Sequence, residues 1–342
     1  IKHKRRMPMS FVYVVEDGSK MSIDGGCLKI TYKSGEVSKM PKETVEAISI
    51  FGNSQMSTQC TKFCLEKGIR VSYFSKNGSY FGCLLSTGHV NIKRLKKQIF
   101  LSEDKDFCVK LSKKIIQAKI NNQLVVVKRY LRNSNIDESD NLFQISNARK
   151  KVIEAESVEQ IMGYEGTASR YYFKILSDLV ETDFKFSGRN RRPPKDPFNS
   201  LLSLGYTLVM YELYGELESH GLNPFAGFLH QDRENHPTLA SDMMEEWRAV
   251  LVDSVVMSLI QGHEISIDEF YYDEETGACL LKKDGMKIFL SKMEKKLHSE
   301  AKYLSYINER MSFRKAIWHQ VRMLSRTVDL SDVEQYKPVS IR

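Results

Sequence analysis

The stretch DFCVKLSKKIIQAKINNQLVVVKRYLRN, residues 106–133, decides the fold of the larger part of the chain. Its apolar residues recur at spacings of three and four, which is the period of an amphipathic α-helix. The same texture begins at about residue 90, so we predict an all-α domain over residues 89–330. Further helices are predicted at about 165–180, 196–219, 238–260, 286–309 and 313–326.

The N-terminal part of the chain has a different pattern. Short apolar runs such as FVYVV at 11–15 and LKITYK at 28–33 alternate with polar residues, and glycine turns separate them. These features predict a small β-sandwich over residues 9–88, with one helix near 55–67. The fold class is therefore α+β, a β-rich domain followed by a larger helical domain. Residues 1–8 and 331–342 are predicted to be tails, and residues 1–8 are compatible with a tag, an alternative start or a linker.

Composition favours a folded chain with an anionic partner. A chain of 342 residues is long enough for two domains. It contains 51 Lys plus Arg and 43 Asp plus Glu, which gives a formal net charge of +8. No run of 18 apolar residues occurs, and the start IKHKRRMP lacks the apolar core of a secretory signal. We expect a soluble, cytoplasmic protein without a membrane partner.

A pair of carboxylates in PTLASDMMEEWRAVLVDSVV could carry chemistry. If this segment is a helix, Asp242 and Glu245 project from one face, where a divalent cation would offset their repulsion. The alternative is an ordinary solvated acidic face. Two other residues also have two possible roles. His230 could be a metal ligand or a core histidine, and Glu165 could be a metal ligand or a capping residue at a helix N-terminus.

A basic loop interrupts the helical half of the chain. The tract SGRNRRPPKDP at 187–197 cannot be regular helix because consecutive prolines remove amide donors. Its four cations could bind phosphates, or could form only a solvated face. They are Arg189, Arg191, Arg192 and Lys195.

Four blocks together resemble the CRISPR-associated Cas1 endonuclease and integrase family in their order, spacing and amino-acid sequence. They are YEGTASRYYF (164–173), FSGRNRRPPKDPFNSLLSLGYTL (186–208), GLNPFAGFLHQ (221–231) and LASDMMEEWR (239–248). The resemblance implies a metal-dependent integrase that joins prespacer 3′-hydroxyl ends into a CRISPR repeat, with an accompanying DNA endonuclease activity. It also implies Glu165, His230 and Asp242 as ligands of Mg²⁺ or Mn²⁺, with Glu245 as a further acidic catalytic residue.

The resemblance implies partners as well. These are DNA, in the form of a prespacer duplex and the CRISPR repeat, a second copy forming a homodimer through the β domains, and a small partner subunit that completes a heterohexamer-type complex. Two alternatives stay open. The chain could be a structure-selective endonuclease with water as nucleophile, or a non-catalytic DNA-binding scaffold.

Overall fold

The computed structural model describes residues 10–84, 86, 91–191 and 193–341. The predicted tail 1–8, the phosphate-binding candidate Arg192 and the last residue, 342, lie outside these ranges. The chain divides into two compact units, Ile1–Gly88 and His89–Arg342. The prediction of an α+β chain, with strands first and helices after, is confirmed.

The described strands of the first unit form two sheets. The strands are β1 (Ser10–Val14), β2 (Lys20–Asp24), β3 (Cys27–Thr31), β4 (Val37–Pro41), β5 (Val45–Phe51), β6 (Gln55–Met56), β7 (Arg70–Phe74) and β8 (Tyr80–Leu84). In one sheet, β5 lies parallel to β1 and β7, and β8 runs antiparallel to β7. In the other sheet, the order is β4-β3-β2-β6.

One apolar core lies inside this unit. Alternation places Val12 and Val14 on one face of β1 and Leu28 and Ile30 on one face of β3, and all four belong to one buried cluster. The helix α1 (Thr58–Lys67) adds Cys60 and Cys64 to the same core, so these thiols are packing residues.

Helices dominate the second unit. Two small antiparallel ribbons accompany them, β9 (Phe270–Tyr272) with β10 (Cys279–Leu281), and β11 (Glu300–Ala301) with β12 (Met311–Ser312). The helices are α2 (Ile92–Ser102), α3 (Lys105–Leu131), α4 (Ser139–Glu154), α5 (Val158–Asp178), α6 (Pro197–Ser219), α7 (Thr238–Met244), α8 (Ser254–Gln261), α9 (Lys283–His298) and α10 (Phe313–Leu330). Among the described residues, none of these helices combines the length and the apolar character needed to cross a bilayer.

The segment predicted as one helix over 238–260 is interrupted. Helix α7 ends at Met244, a turn follows, and the backbone then forms a π-helical segment over Arg248–Asp253 before α8 begins. In the turn, the Glu245 amide donates to the Asp242 carbonyl at 3.2 Å, a three-residue bond tighter than the α-helical one. Periodicity misses this break because apolar residues continue across it at helical spacings, at Leu239, Met243, Trp247, Val250 and Leu251.

The segment 331–342, predicted to be a tail, packs as part of the second unit over its described residues. Val333, Tyr336 and Val339 are buried, and a short 3-10 helix spans Val333–Gln335. The Val339 amide and the Tyr336 hydroxyl both donate to the Glu246 carboxylate, each at 2.7 Å. The prediction was wrong because three isolated apolar residues in a polar segment give no detectable period.

Candidate active site

Three of the four predicted catalytic residues line one cavity in the helical unit. The cavity has a volume of about 830 Å³, and Glu165, His230 and Glu245 all contribute to its wall. Glu165 comes from the middle of α5, whose N-cap is Ser157, so the capping interpretation of Glu165 is excluded. Glu245 comes from the turn after α7. Cationic residues also line the cavity: Lys119, Arg170, Lys174, Arg189, Arg191 and Arg248.

Asp242 lies behind this wall and is fully buried. Its Oδ2 accepts hydrogen bonds from the amides of Phe228 at 2.7 Å and Leu229 at 3.0 Å, and its Oδ1 accepts one from the His230 amide at 3.1 Å. The loop can wrap so closely because residue 227 is glycine: a Cβ there would lie 2.7 Å from Asp242 Oδ2. Asp242 therefore fixes the loop that carries His230.

The same carboxylate orients the His230 ring. Asp242 Oδ1 lies 2.7 Å from His230 Nδ1, so the proton belongs on Nδ1 and the lone pair of Nε2 is left for the cavity side. Nε2 lies 3.9 Å from Glu245 Oε1. Burial opposes charging of the imidazole, but the hydrogen bond to Asp242 and the negative charges of Asp242 and Glu245 outweigh it and raise the pKa of His230.

A buried lysine joins the two carboxylates of the cavity. The Lys119 ammonium contacts Glu165 Oε1 and lies 2.6 Å from Glu245 Oε2, and its side chain is only 7% exposed. Ser169 on α5 donates to Glu165 at 2.6 Å, and Arg248 donates to Glu245 at 2.9 Å. Burial opposes ionisation of Glu245, but Arg248 and Lys119 outweigh it and hold its pKa far below the usual range.

The donor set suits a divalent cation, although a protein cation now lies between its carboxylates. Glu165, Glu245 and the free Nε2 of His230 are oxygen and nitrogen ligands of the kind that Mg²⁺ and Mn²⁺ accept. Across the described ranges, no three His, Cys, Asp or Glu side chains are arranged to hold an ion as they stand. Lys119 contacts both glutamates, so the space between the Glu165 and Glu245 carboxylates stabilises positive charge.

A buried network supports the opposite side of the cavity. The Asp253 carboxylate accepts from Tyr206 on α6 at 2.5 Å and from Tyr172 on α5 at 2.7 Å. The Tyr206 ring lies between two guanidinium groups, 4.5 Å from that of Arg248 and 5.2 Å from that of Arg189. The network thus connects α5, α6 and the π-helical segment, and it lies next to Arg248, which donates to Glu245.

The basic loop is folded against α6. Asn190 donates to Asp196 at 2.8 Å, and Asn199 donates to the Gly188 carbonyl at 2.9 Å. Arg189 is turned inwards, donating to Asn199 at 2.7 Å, whereas Arg191 lines the cavity and is exposed. Lys195 is exposed but does not line the cavity. Of the predicted phosphate-binding residues with described positions, Arg189 and Arg191 therefore lie at the site.

Sequence reasoning missed three residues of the cavity wall. Lys119 lies between Ala118 and Ile120 within the apolar stretch IIQAKI of α3, where a lysine is unusual and could have served as a signal. Arg248 lies in the block LASDMMEEWR but gives no separate signal. Asp253 gave no signal, because its tyrosine partners are distant in sequence.

Comparison with known proteins gives a consistent result. The model of the family "CRISPR associated protein Cas1" matches residues 12–295 of this chain. A CRISPR-associated endonuclease Cas1 of Thermus thermophilus is 32% identical, covering 97% of each chain, and one of Mycobacterium tuberculosis is 33% identical, covering 93% of this chain and 94% of that protein. A solved CAS1 protein from Thermotoga maritima superposes with a TM-score of 0.79 at 23% identity, covering 94% of this chain and 97% of that chain. That last likeness concerns the fold.

Proposed function

The chain belongs to the CRISPR-associated Cas1 family, and from that membership we propose that it is the catalytic subunit of a spacer-acquisition integrase. The proposed reaction joins a prespacer 3′-hydroxyl to a phosphodiester of the CRISPR repeat. The single observation that carries the catalytic part of the proposal is the shared Lys119 contact of Glu165 and Glu245 beside His230, in a cavity lined by cations.

We propose Glu165, His230 and Glu245 as the residues that hold the divalent cation. When bound, the cation would stabilise the charge that develops on the phosphate and on the attacking and leaving oxygens. Asp242, predicted from the sequence as a ligand, has both oxygens engaged with amides and with His230 Nδ1. We therefore assign it the role of holding the proton on Nδ1, so that the lone pair of Nε2 stays directed to the cavity.

The cationic residues of the cavity support a role in binding the nucleic acid backbone. Arg191 is exposed at the wall, and Arg170 and Lys174 project from α5, the helix that carries Glu165. Phosphates attracted by these groups would be brought next to the two glutamates, and contacts of this kind weaken steeply with salt. Arg248 is less free to contribute, because its Nε donates to Glu245.

The identity of the cation stays a prediction. One imidazole nitrogen among carboxylate ligands suits manganese at least as well as magnesium, so we expect activity with either ion and a higher rate with Mn²⁺. A lower rate in manganese would contradict this preference. The proposed partners also come from the family: a homodimer through the β-rich unit, and a small subunit bridging two dimers into a heterohexamer-type complex.

An integration assay tests the reaction type. Supercoiled plasmid bearing a CRISPR repeat would be incubated with the chain, the partner subunit and prespacers ending in a 3′-hydroxyl or a 3′-dideoxy group. An integrase joins only the hydroxyl-ended prespacer and requires the divalent ion. A structure-selective nuclease, which uses water, would cut the DNA equally well with both ends.

The scaffold alternative predicts a different result. If the acidic residues only stabilise the fold, Glu165→Gln and Glu245→Gln would leave the activity of the assembled complex unchanged. We expect both variants to lose joining while they retain DNA binding. Glu159→Gln is the matched control, because Glu159 is an exposed glutamate on α5 that does not line the cavity.

A further inference from the structure

A second cavity lies in the helical unit and shares no lining residue with the first. Its volume is about 530 Å³, within the range of roughly 300–1,000 Å³ that is common for small-molecule sites. Its wall comes from the last turns of α3 and α9, the segment 301–308, the start of α8 and the end of the chain at Ser340 and Ile341.

Three cations line this cavity, and among the residues that the structure describes no acidic side chain does. They are Arg129 on α3, Lys296 on α9 and Lys302. Within the described part of the chain, none of the three pairs with a carboxylate. Lys302 donates to the Asn308 amide oxygen at 2.8 Å, and the Lys296 ammonium lies 5.1 Å from the centre of the Phe313 ring.

The positive charge of these three side chains exceeds the negative charge of the two helix C-termini at the cavity. The carbonyl ends of α3 and α9 each carry a partial charge of roughly −0.5, about one negative charge against three positive ones. Burial, followed by the charge of Arg129, lowers the pKa of Lys296 to about 8, as expected for a cation without a counter-ion. An anion entering this cavity would therefore be stabilised.

The rest of the wall combines aromatic and apolar groups with polar ones. The Tyr303 and Phe313 rings stack with centroids 3.7 Å apart. The partly exposed apolar residues of the lining are Ala301, Ile307 and Ile341, and the polar ones are Ser254, Ser305, Asn308 and Ser340. Inorganic phosphate alone would leave the aromatic and apolar groups unused. A nucleotide presents a doubly charged phosphate, hydrogen-bonding groups and a planar base on one small molecule, which corresponds to the cationic, polar and aromatic groups of this wall.

We propose that this second cavity binds a nucleotide through its phosphate, held by Lys296, Arg129 and Lys302, with the base against the Tyr303 ring and the partly exposed apolar residues of the lining. The nucleotide is either free or the 5′-phosphorylated end of a strand. The proposal is independent of the chemistry at the first cavity, because binding here needs neither the two glutamates nor a divalent ion.

Isothermal titration calorimetry of the full chain with deoxyadenosine monophosphate, in metal-free buffer, tests the proposal. Wild-type protein should bind it saturably, and Lys296→Met should weaken binding about tenfold or more, the usual scale of a lost charge-assisted contact. Lys295→Met is the matched control: its neighbouring, exposed lysine does not line the cavity, so affinity should stay within about twofold. Arg129→Gln combined with Lys302→Gln changes only exposed residues and should also weaken binding, which keeps the test valid if Lys296→Met is unstable.

Competition separates the two sources of the phosphate. If an oligonucleotide with a 5′-phosphate binds more tightly than one with a 5′-hydroxyl, and Lys296→Met removes the difference, the ligand is a strand end. If only the mononucleotide shows the Lys296 dependence, the ligand is free. The proposal is overturned if wild type shows no binding, if Lys296→Met and Lys295→Met bind equally, or if deoxyadenosine without phosphate binds as well.

Discussion

Two neighbouring glutamates in the turn after α7, Glu245 and Glu246, face opposite ways and have different surroundings. Glu245 faces the first cavity and contacts Lys119 and Arg248. Glu246 faces the core, and its hydrogen-bond donors within the described ranges are the neutral groups of Gln320, Tyr336 and Val339. Burial opposes ionisation of both. At Glu245 the two cations overcome it and the pKa falls, while at Glu246 the hydrogen bonds do not, and the pKa rises to about 8.

The difference shows how the fold divides the work of one short turn. Glu246 binds the C-terminal segment to the core through Tyr336 and Val339, so it anchors the turn from behind. Because Glu246 anchors the turn, the Glu245 carboxylate is held at the cavity wall without having to pack in the core itself. Buried charge at Glu245 is tolerated because it is balanced, as expected of a residue kept for chemistry.

The largest expected effect separates the two glutamates by activity. Glu245→Gln keeps the size of the side chain but removes the charge proposed to hold the cation, so strand joining should fall about 100-fold or more. Glu246→Gln should reduce it only a few-fold, because Glu246 does not line the cavity. Initial rates of prespacer joining measure both. Equal losses would remove the distinction between the two sides of the turn.

The next effect concerns stability and pH. Because burial raises the pKa of Glu246 to about 8 from an ordinary value of about 4.5, the folded state holds its proton more tightly, and stability should fall as pH rises between these values. Between pH 5 and pH 8 the loss should be roughly 3–4 kcal/mol. Urea unfolding at pH 5 and pH 8 measures it. Glu246→Gln should flatten the decline and Glu245→Gln should not; a decline that persists in Glu246→Gln would assign it to another group.

A smaller effect is expected at Lys119. Its ammonium occupies the interval between Glu165 and Glu245, so a divalent ion must compete with it. Lys119→Met should therefore raise the affinity for Mn²⁺ about tenfold while it destabilises the metal-free protein. Lys128→Met, on an exposed position of the same helix, is the control. Unchanged Mn²⁺ affinity in Lys119→Met would show that the ammonium does not compete.

The smallest effect is expected at Tyr206. Tyr206→Phe removes the hydroxyl that donates to Asp253 but keeps the ring between Arg189 and Arg248, so joining should slow by about three- to tenfold. Tyr206→Leu also removes the ring and should slow it further. Tyr32→Phe, in the β-rich unit, is the control. If Tyr206→Phe and Tyr206→Leu both leave the rate unchanged, the network does not position Arg248.

Sequence periodicity predicted the division into strands and helices because each element repeats its apolar pattern over several residues. It could not predict the turn at Glu245, since a break in hydrogen bonding leaves the pattern unchanged. Asp242 and Glu245 share a face only if the helix continues, and here it ends between them at Met244. The roles of Lys119 and Glu246 depend on partners more than 40 residues away, which no local pattern encodes.

The most direct test of the account is a crystal structure of the chain with Mn²⁺, located by anomalous scattering. We expect one ion in contact with Glu165, Glu245 and His230 Nε2, with Lys119 displaced and Asp242 still bonded to His230 Nδ1. An ion bound directly to Asp242, or no ion within reach of Glu165 and Glu245, would contradict the proposed site.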